Sequence, residues 1–432
     1  MLVIGVFAGL TVLLMMTGFP LFVSFGIGGL GMIAALEMDP GFVVPCIFTN
    51  LNSFVLMAIP FFIFAGGLMT AADISGRIVG FANSIVGRFR GGLGLVTIFS
   101  CAVFGAISGS SSAAVASIGM TMIPQMEKYG YTRAYATALV ACSGLLGQLI
   151  PPSIPMILFG MLTGASVAAC FLAIAVPGIL LMLAYMVVNY FQCRKMSGIK
   201  LLEKIPAGGN FRNIVASIKQ AGLALAMPVI VLGGIYGGFF TPTEAGCVAA
   251  AYAIFVGIIW RKLTKQAFLK AAEETASIEG AITFLICFIF VLSRIFTYER
   301  LPDHIADFML SVTSNRVIML LLLNLFLIAL DIFMDDVSAM LLAAPLLYPL
   351  FLKLGISPLQ MAAIMAVNQG SGQLTPPVAT NLFTASMVSG IPVSDFFRHC
   401  IPYLLFGSLP VLLIVTFVPE VSLWLPRLIL GK

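Results

Sequence analysis

Two adjacent prolines inside a run long enough to cross a membrane restrict this chain more than any other feature. They fall in Gly147-Gln148-Leu149-Ile150-Pro151-Pro152-Ser153, within an apolar stretch from Ala134 to Thr163. Pro152 forces Pro151 out of the α region, and each ring removes a backbone donor. In hydrocarbon, a freed carbonyl is costly unless protein or water satisfies it, so a helix broken at that depth must be buried or line a wet cavity. The same device recurs in Gly372-Gln373-Leu374-Thr375-Pro376-Pro377-Val378, 372 − 147 = 225 residues later. Paired interruptions in corresponding positions of two halves point to the binding site of a transporter.

Composition fits that reading. The 432 residues are 60% hydrophobic and 9% charged, with a mean hydropathy of +1.11. A soluble domain carries about 25% charged residues, so the chain reads as an all-α polytopic membrane protein embedded in the lipid bilayer. Met1 to Gly18 has neither a basic n-region nor a small-residue cleavage site and reads as a first spanning helix rather than a signal peptide. The net charge of +5 follows from topology, and no nucleic acid is expected as a partner. Eight cysteines form no CxxC pair, and His304 and His399 have no ligand-like neighbours. Neither zinc, a disulfide framework nor any cofactor is expected.

Taken in order, residues 1–53 read as a scaffold helix pair, turning at Gly18-Phe19-Pro20, and a connection through Glu37, Asp39 and Pro40. Residues 54–191 read as a first repeat. It holds a span (Phe54 to Ala72) and an interfacial amphipathic arm (Asp73 to Arg90) whose apolar face is Ile74, Ile78, Phe81, Ile85 and Val86. A re-entrant hairpin follows, with its tip at Ser108 to Ser112 and Arg88, Arg90, Lys128 and Arg133 at its open end. The broken helix and a span from Ala168 to Phe191 complete the repeat. Residues 192–220 read as a linker with Arg194, Lys195, Lys200, Lys204, Arg212 and Lys219 against Glu203, which places it in the cytoplasm. Residues 221–279 read as a second scaffold helix pair followed by a basic connection from Arg261 to Glu279. Residues 280–418 read as a second repeat, with a span from Gly280 to Thr297, an arm from Tyr298 to Arg316, a hairpin from Val317 to Leu352 with its tip at Asp335-Asp336, a broken helix from Ser357 to Ser389 and a last span from Phe396 to Val418. Residues 419–432, ending at Lys432, read as an interfacial tail.

Shifting the chain on itself by 225 residues superposes Pro124 on Pro349, Gly130 on Gly355, both Gly-Gln-Leu triplets, both proline pairs, Phe171 on Phe396 and Pro177 on Pro402. Ser110-Ser111 falls on Asp335-Asp336. Five crossings separate equivalent points, and an odd number inverts the second copy. Inverted repeats of this kind bring both tips and both breaks together near the bilayer midplane.

That centre suits a cation and an anion together. A half-helix begins at each tip, capped by Ser111-Ser112 or by Asp336, and aims backbone N–H groups at the cavity. Carbonyls where helices stop, at Leu149-Ile150 and Leu374-Thr375, are hard ligands for sodium. The cation candidates are Ser108, Gly109, Ser110, Ser111, Gly147, Asp335, Asp336, Gly372 and Thr375. An aspartate at that depth costs about 2.5–3.5 kcal/mol on insertion scales, which argues for a bound cation or a proton. The substrate candidates are Ser112, Pro151, Pro152, Ser153, Pro376, Pro377 and Asn381, the last as a donor to a substrate oxygen. Simpler roles stay open at several positions: capping for Asp336, helix packing for the serines, and interhelical hydrogen bonding for Gln148, Asn368 and Gln373. Asp331 is read as lining the hairpin and Arg294 as snorkelling. No phosphate-binding loop or Ser/His/Asp set is found, and neighbouring rather than facing acids argue against an intramembrane protease, so no enzyme is expected.

At Phe104 to Ala113 (FGAISGSSSA), Ile123 to Tyr131 (IPQMEKYGY), Gly147 to Gly160 (GQLIPPSIPMILFG) and Gly372 to Val378 (GQLTPPV) the chain resembles the large permease subunit of tripartite ATP-independent periplasmic (TRAP) transporters. The resemblance covers nearly the whole chain, including Phe417 to Pro426. It implies an elevator-type secondary transporter in the bacterial inner membrane, driven by sodium as the coupling ion. It also implies a periplasmic substrate-binding protein, a small four-helix membrane subunit and an organic acid substrate such as a dicarboxylate, sialic acid or another sugar acid. Each tip would hold sodium with its own break. Ala379 departs from the glycine usual after Pro-Pro-Val. Because the chain starts directly at its first large-subunit helix, the small subunit is expected to be a separate polypeptide. The competing readings are a stand-alone sodium/divalent-anion symporter and a channel.

Overall fold

Helices follow the apolar runs because a backbone in hydrocarbon must satisfy its own hydrogen bonds. The computed structural model describes residues 2–87, 91–196, 198–199, 209–313, 315–377 and 379–431. Met1, Arg88, Arg90, Lys200, Glu203, Lys204, Val378 and Lys432, together with the side chain of Arg212, lie outside the described residues. Among the described residues, no strand is present.

The chain opens with α1 (Leu2–Met16) and α2 (Leu21–Ala35), then α3 (Val43–Leu51), a 3₁₀ turn at Phe54–Met57, α4 (Ala58–Ala71) and α5 (Ile74–Val86). The first hairpin is α6 (Gly92–Ser108) and α7 (Ser111–Lys128). The first broken helix is α8 (Arg133–Ser143), α9 (Leu146–Leu149) and α10 (Ile154–Thr163), followed by α11 (Val167–Lys195). Next come α12 (Gly209–Tyr236), α13 (Pro242–Ile259) and α14 (Lys265–Tyr298). The second half holds α15 (Leu301–Val312), α16 (Arg316–Asp331), α17 (Asp336–Lys353), α18 (Pro358–Gly372), α19 (Thr380–Ser389), α20 (Val393–Tyr403), a π turn at Leu404–Ser408, α21 (Leu409–Phe417) and α22 (Glu420–Leu430).

The 225-residue shift reappears as local geometry. α7 and α17 begin and end at equivalent positions (111 + 225 = 336; 128 + 225 = 353). Each is followed by a glycine with positive φ, Gly130 at 88° and Gly355 at 71°, a conformation that side chains with a Cβ rarely adopt. Thr132 and Ser357, again equivalent, cap α8 and α18 by accepting from Tyr135 N and Gln360 N, both at 3.2 Å. Both proline pairs, Pro151-Pro152 and Pro376-Pro377, are joined by cis peptide bonds.

The two halves also exchange packing partners. α10 packs on α17 and α19 on α7, while α11 packs on α18 and α20 on α8. Each contact is the image of the other, as a pseudo-two-fold axis requires. Between α6 and α16 lie the broken span α8–α10 and the four candidate spans α11, α12, α13 and α14. That makes 1 + 4 = 5 crossings, so the second copy is inverted. Among the described residues, seven helices are long and apolar enough to cross a bilayer, and the α8–α10 span, bent by 42°, makes an eighth. α17 passes that test by length and composition, yet it is the equivalent of hairpin helix α7 and starts at a cavity.

Several elements differ from the sequence expectation. α3 lies inside the expected connection: Asp39 accepts from Gly41 N at 2.9 Å and Asn50 Nδ2 donates to Cys46 O at 2.8 Å, which holds a short helix that Pro45 and Asn50 disguise. α11 runs to Lys195 and α12 starts at Gly209, so both ends of the basic stretch are helical. α14 is continuous from Lys265 through Glu279. Thr264 caps it at Ala267 N, 3.1 Å away, and no glycine or proline interrupts it before Gly280. The arm α5 buries Ile74, Ser75, Ile78, Val79 and Ala82, whereas Ile85 is exposed, because the helix lies against both α6 and α12.

Candidate functional site

The break after α9 leaves Pro151 and Pro152 buried, and they meet the first tip directly. Gly109 O accepts from Ile154 N at 3.3 Å, sewing the tip to the start of α10. A Cβ on Gly109 would lie 2.9 Å from Pro152 O, and one on Gly147 would lie 2.6 Å from Ser110 O. Glycine is therefore required at both positions for the tip to reach the break. In the second half, a Cβ on Gly372 would meet Asp331 Cβ at 2.1 Å, so α18 rests directly on the end of α16. Gln369 Nε2 donates to Asp336 O at 3.0 Å, tying α18 to the second tip.

The caps sit one residue earlier than the sequence suggests. Ser110, not Ser111 or Ser112, caps α7 and accepts from Ala113 N at 3.4 Å. Asp335, not Asp336, occupies the N-cap position of α17 and accepts from Ser338 Oγ. Asp336 lies in the first turn, with Oδ1 accepting from Val337 N at 3.1 Å. Ser111 is thereby free to act across the interface: its Oγ donates to Gln373 Oε1 at 2.9 Å, and Gln373 Nε2 donates to Gln148 Oε1 at 3.1 Å. The interhelical role for Gln148 and Gln373 is thus the one realised, and they bond each other. Asn368 likewise donates to Asn324 Oδ1 at 2.7 Å, and Asn324 donates to Thr416 Oγ1 at 3.0 Å.

Ser111, Ser112, Asp335 and Asp336 line one cavity of about 370 Å³ together with Thr380, Phe383, Thr384 and Met387. The last four recur at helical spacing along α19, directly after the second break, a signal present in the sequence but not read from it. Three helices begin at residues on this cavity: α7 at Ser111, α17 at Asp336 and α19 at Thr380. Helix N-termini favour anions, and among the described residues no lysine, arginine or histidine lines the space. The remaining predicted residues lie elsewhere. Ser108 and Ser153 are buried and are not among the lining residues. Pro376 and Pro377 are exposed, unlike their buried equivalents in the first break, and Thr375 is half-buried with its hydroxyl donating to Ser371 O at 3.0 Å. Asn381, next to Thr380 on α19, is fully buried. Ser108 Oγ, Ser153 Oγ, Gln148 Nε2, Asp331 Oδ2, Asn368 Oδ1 and both amide atoms of Asn381 are buried without a hydrogen-bond partner. Such orphans are rare and call for a ligand, an ion or water.

Paired hairpins and broken helices around a polar cavity, in a chain of many apolar spans, define a polytopic membrane transporter. The chain belongs to the tripartite ATP-independent periplasmic transporter family as its DctM component, whose family model matches residues 8–421. It is a large permease of the multi-pass inner-membrane type. It is 38% identical over 382 residues to the C4-dicarboxylate TRAP transporter large permease protein DctM of Pseudomonas aeruginosa, covering 88% of each chain. Against the sialic acid TRAP transporter large permease protein SiaM of Vibrio cholerae the identity is 37% over 383 residues, with 88% of each covered. Against the isethionate TRAP transporter permease protein DctMQ of Oleidesulfovibrio alaskensis it is 36% over 418 residues, and the chain, 96% covered, spans 65% of that protein's length. The fold is shared with the Alcanivorax borkumensis YdaH transporter crystal structure, at a TM-score of 0.57 and 16% identity over 89% of each chain.

Proposed function

We propose that the chain imports an organic acid together with sodium. The observation that carries this reading is the convergence of three helix N-termini and two aspartates on one cavity. The N-termini and the hydroxyls of Ser111, Ser112, Thr380 and Thr384 suit a carboxylate or sulfonate. Asp335 and Asp336 require compensating positive charge, which sodium supplies. Gly109 O, Ser110 O and Gly372 O each accept one backbone N–H, and each keeps a second lone pair. The names of the relatives, for C4-dicarboxylate, sialic acid and isethionate, support an organic anion as substrate.

Transport proceeds as an elevator. The hairpins and broken helices, interlocked through α7–α19 and α10–α17, move as one body against α1, α2, α4 and α12–α14. Each uncompensated positive charge carried inward contributes about 2.3 kcal/mol per 100 mV, so accumulation follows if sodium ions outnumber substrate charges. A small four-helix subunit braces the scaffold, and a periplasmic binding protein delivers the substrate. Uptake by proteoliposomes tests each part. Transport of a labelled organic acid is expected only with the binding protein and an inward sodium gradient. Uptake without the binding protein overturns the tripartite reading in favour of a stand-alone symporter.

A further inference from the structure

We propose that the Gln148–Gln373 amide pair couples the two hairpin tips, so that a cation at the first tip sets the second break for its own cation. The inference rests on the sodium reading above. Ser111, Gln373 and Gln148 form one hydrogen-bonded chain from the first tip, through the second break, to the first break, with links of 2.9 and 3.1 Å. All three side chains are buried, Gln148 and Gln373 at 1% exposure, so water does not compete for these bonds.

The direction of the chain matters. A hydroxyl has one proton and two lone pairs. Ser111 gives its proton to Gln373, which leaves both Oγ lone pairs available to a cation. Turning the Gln373 amide over would present its NH₂ to Ser111, and one lone pair would then be tied up. The two polarities are discrete alternatives, and a cation at the first tip selects the one present. In that polarity Gln373, between Gly372 and Leu374, is anchored at both ends and holds the oxygens of the second break in place.

The pair is also asymmetric about the repeat axis. The pseudo-symmetric image of the Ser111–Gln373 bond joins Asp336 to Gln148 (111 + 225 = 336; 373 − 225 = 148). Gln148 Nε2 is instead buried with no partner, whereas Asp336 accepts from Val337 N and also from the Gln373 side chain. Gln373 therefore engages both tips while Gln148 engages neither, and the unused donor is the one the mirror-related arrangement needs. A ligand shifts such a pair of states only through its differential affinity for them, and Ser111 supplies that difference.

Sodium binding to the full-length chain in detergent tests the proposal, titrated with sodium chloride against choline chloride and followed by calorimetry. The wild type is expected to bind with a Hill coefficient of about 2, the limit for two coupled sites. Gln373→Met, which removes donor and acceptor at similar volume, is expected to lower it to about 1 while both sites still fill at higher sodium. Gln148→Met leaves the Ser111–Gln373 bond intact and is expected to lose cooperativity in the same way, so a poorly folded first variant does not decide the matter. Hydrogen exchange needs no variant: protection at residues 108–112 and 335–338 is expected to rise at one common sodium concentration. Two separate midpoints, a wild-type coefficient of about 1, or an unchanged coefficient in Gln148→Met overturns the coupling and leaves sodium binding standing. No sodium binding to the wild type overturns the sodium reading itself.

Discussion

Gln148 and Gln373 meet at 3.1 Å although 225 residues separate them. That number is the repeat shift itself, so the two are the same residue in the two halves. Equivalent positions can touch only on or beside the pseudo-two-fold axis. The axis therefore runs between the two proline breaks, and everything within a few residues of them is shared by both halves: Gly147 and Gly372, the tip serines, and the tip aspartates.

Close packing at that axis makes its glycines intolerant of even one methyl group. In Gly372→Ala the new Cβ would face Asp331 Cβ at 2.1 Å and its backbone carbonyl carbon at 3.0 Å. Backbone cannot yield as a flexible side chain does, so α18 must move off α16. Overpacking of this kind typically costs about 1–3 kcal/mol. A lowered melting temperature in detergent, measured by fluorescence, is the expected result. Gly222→Ala, inside α12 with nothing within 4 Å, is the control expected to melt no lower than the wild type, because alanine favours a helix over glycine.

Ser111 and Asp336 are expected to act on sodium rather than on substrate alone. Losing one oxygen ligand at about 1–3 kcal/mol corresponds to roughly a 5–150-fold change in affinity. Ser111→Ala and Asp336→Ala should each raise the sodium concentration for half-maximal uptake by that order. Unchanged sodium dependence in both variants removes them from the site.

Asn381 separates a structural from a ligand-facing role. Both of its amide atoms are buried without partners, and an unpaired buried amide costs about 1–3 kcal/mol on mutational scales. Asn381→Leu, similar in volume and apolar, is expected to raise the melting temperature while abolishing uptake. A variant that is stabilised and still transports at the wild-type rate shows that Asn381 does not meet the substrate.

Arg77 ties the first arm to the scaffold, alongside a Ser84–Ser217 hydroxyl contact at 2.7 Å. Arg77 donates to Gln220 O at 3.0 Å, and its guanidinium carbon lies 3.9 Å from the Trp260 ring centroid. An exposed cation–π contact contributes about 0.5–1 kcal/mol and a hydrogen bond about 1 kcal/mol. Arg77→Ala is therefore expected to loosen α5 by about 2 kcal/mol, read as faster hydrogen exchange over residues 74–86. The half-saturating substrate concentration should stay unchanged, because the arm does not line the cavity.

The sequence revealed its large-scale plan because helix breakers repeat without a gap. Prolines, positive-φ glycines and caps are local devices, and Gly130, Gly355, Thr132 and Ser357 fix the ends of α7, α8, α17 and α18 wherever the chain packs. What stayed hidden was non-local. Whether Ser110 or Ser111 caps α7 depends on which of them Gln373 engages from 262 residues away. The apolar spacing of Phe383 and Met387 looks the same whether α19 faces lipid or a cavity. The buried first proline pair and the exposed second pair share one motif, and only packing distinguishes them. α14 was masked by polar residues from Lys265 to Glu279, which favour a helix as readily as a loop when nothing breaks it.

The most direct measurement is accumulation of a labelled organic acid in proteoliposomes holding the chain with its small subunit, supplied with the binding protein, with and without an inward sodium gradient. Accumulation above the outside concentration that collapses when sodium is equalised across the membrane is the expected result. Equal uptake in the two conditions contradicts the idea that a cation and an acid share the chamber between the two breaks.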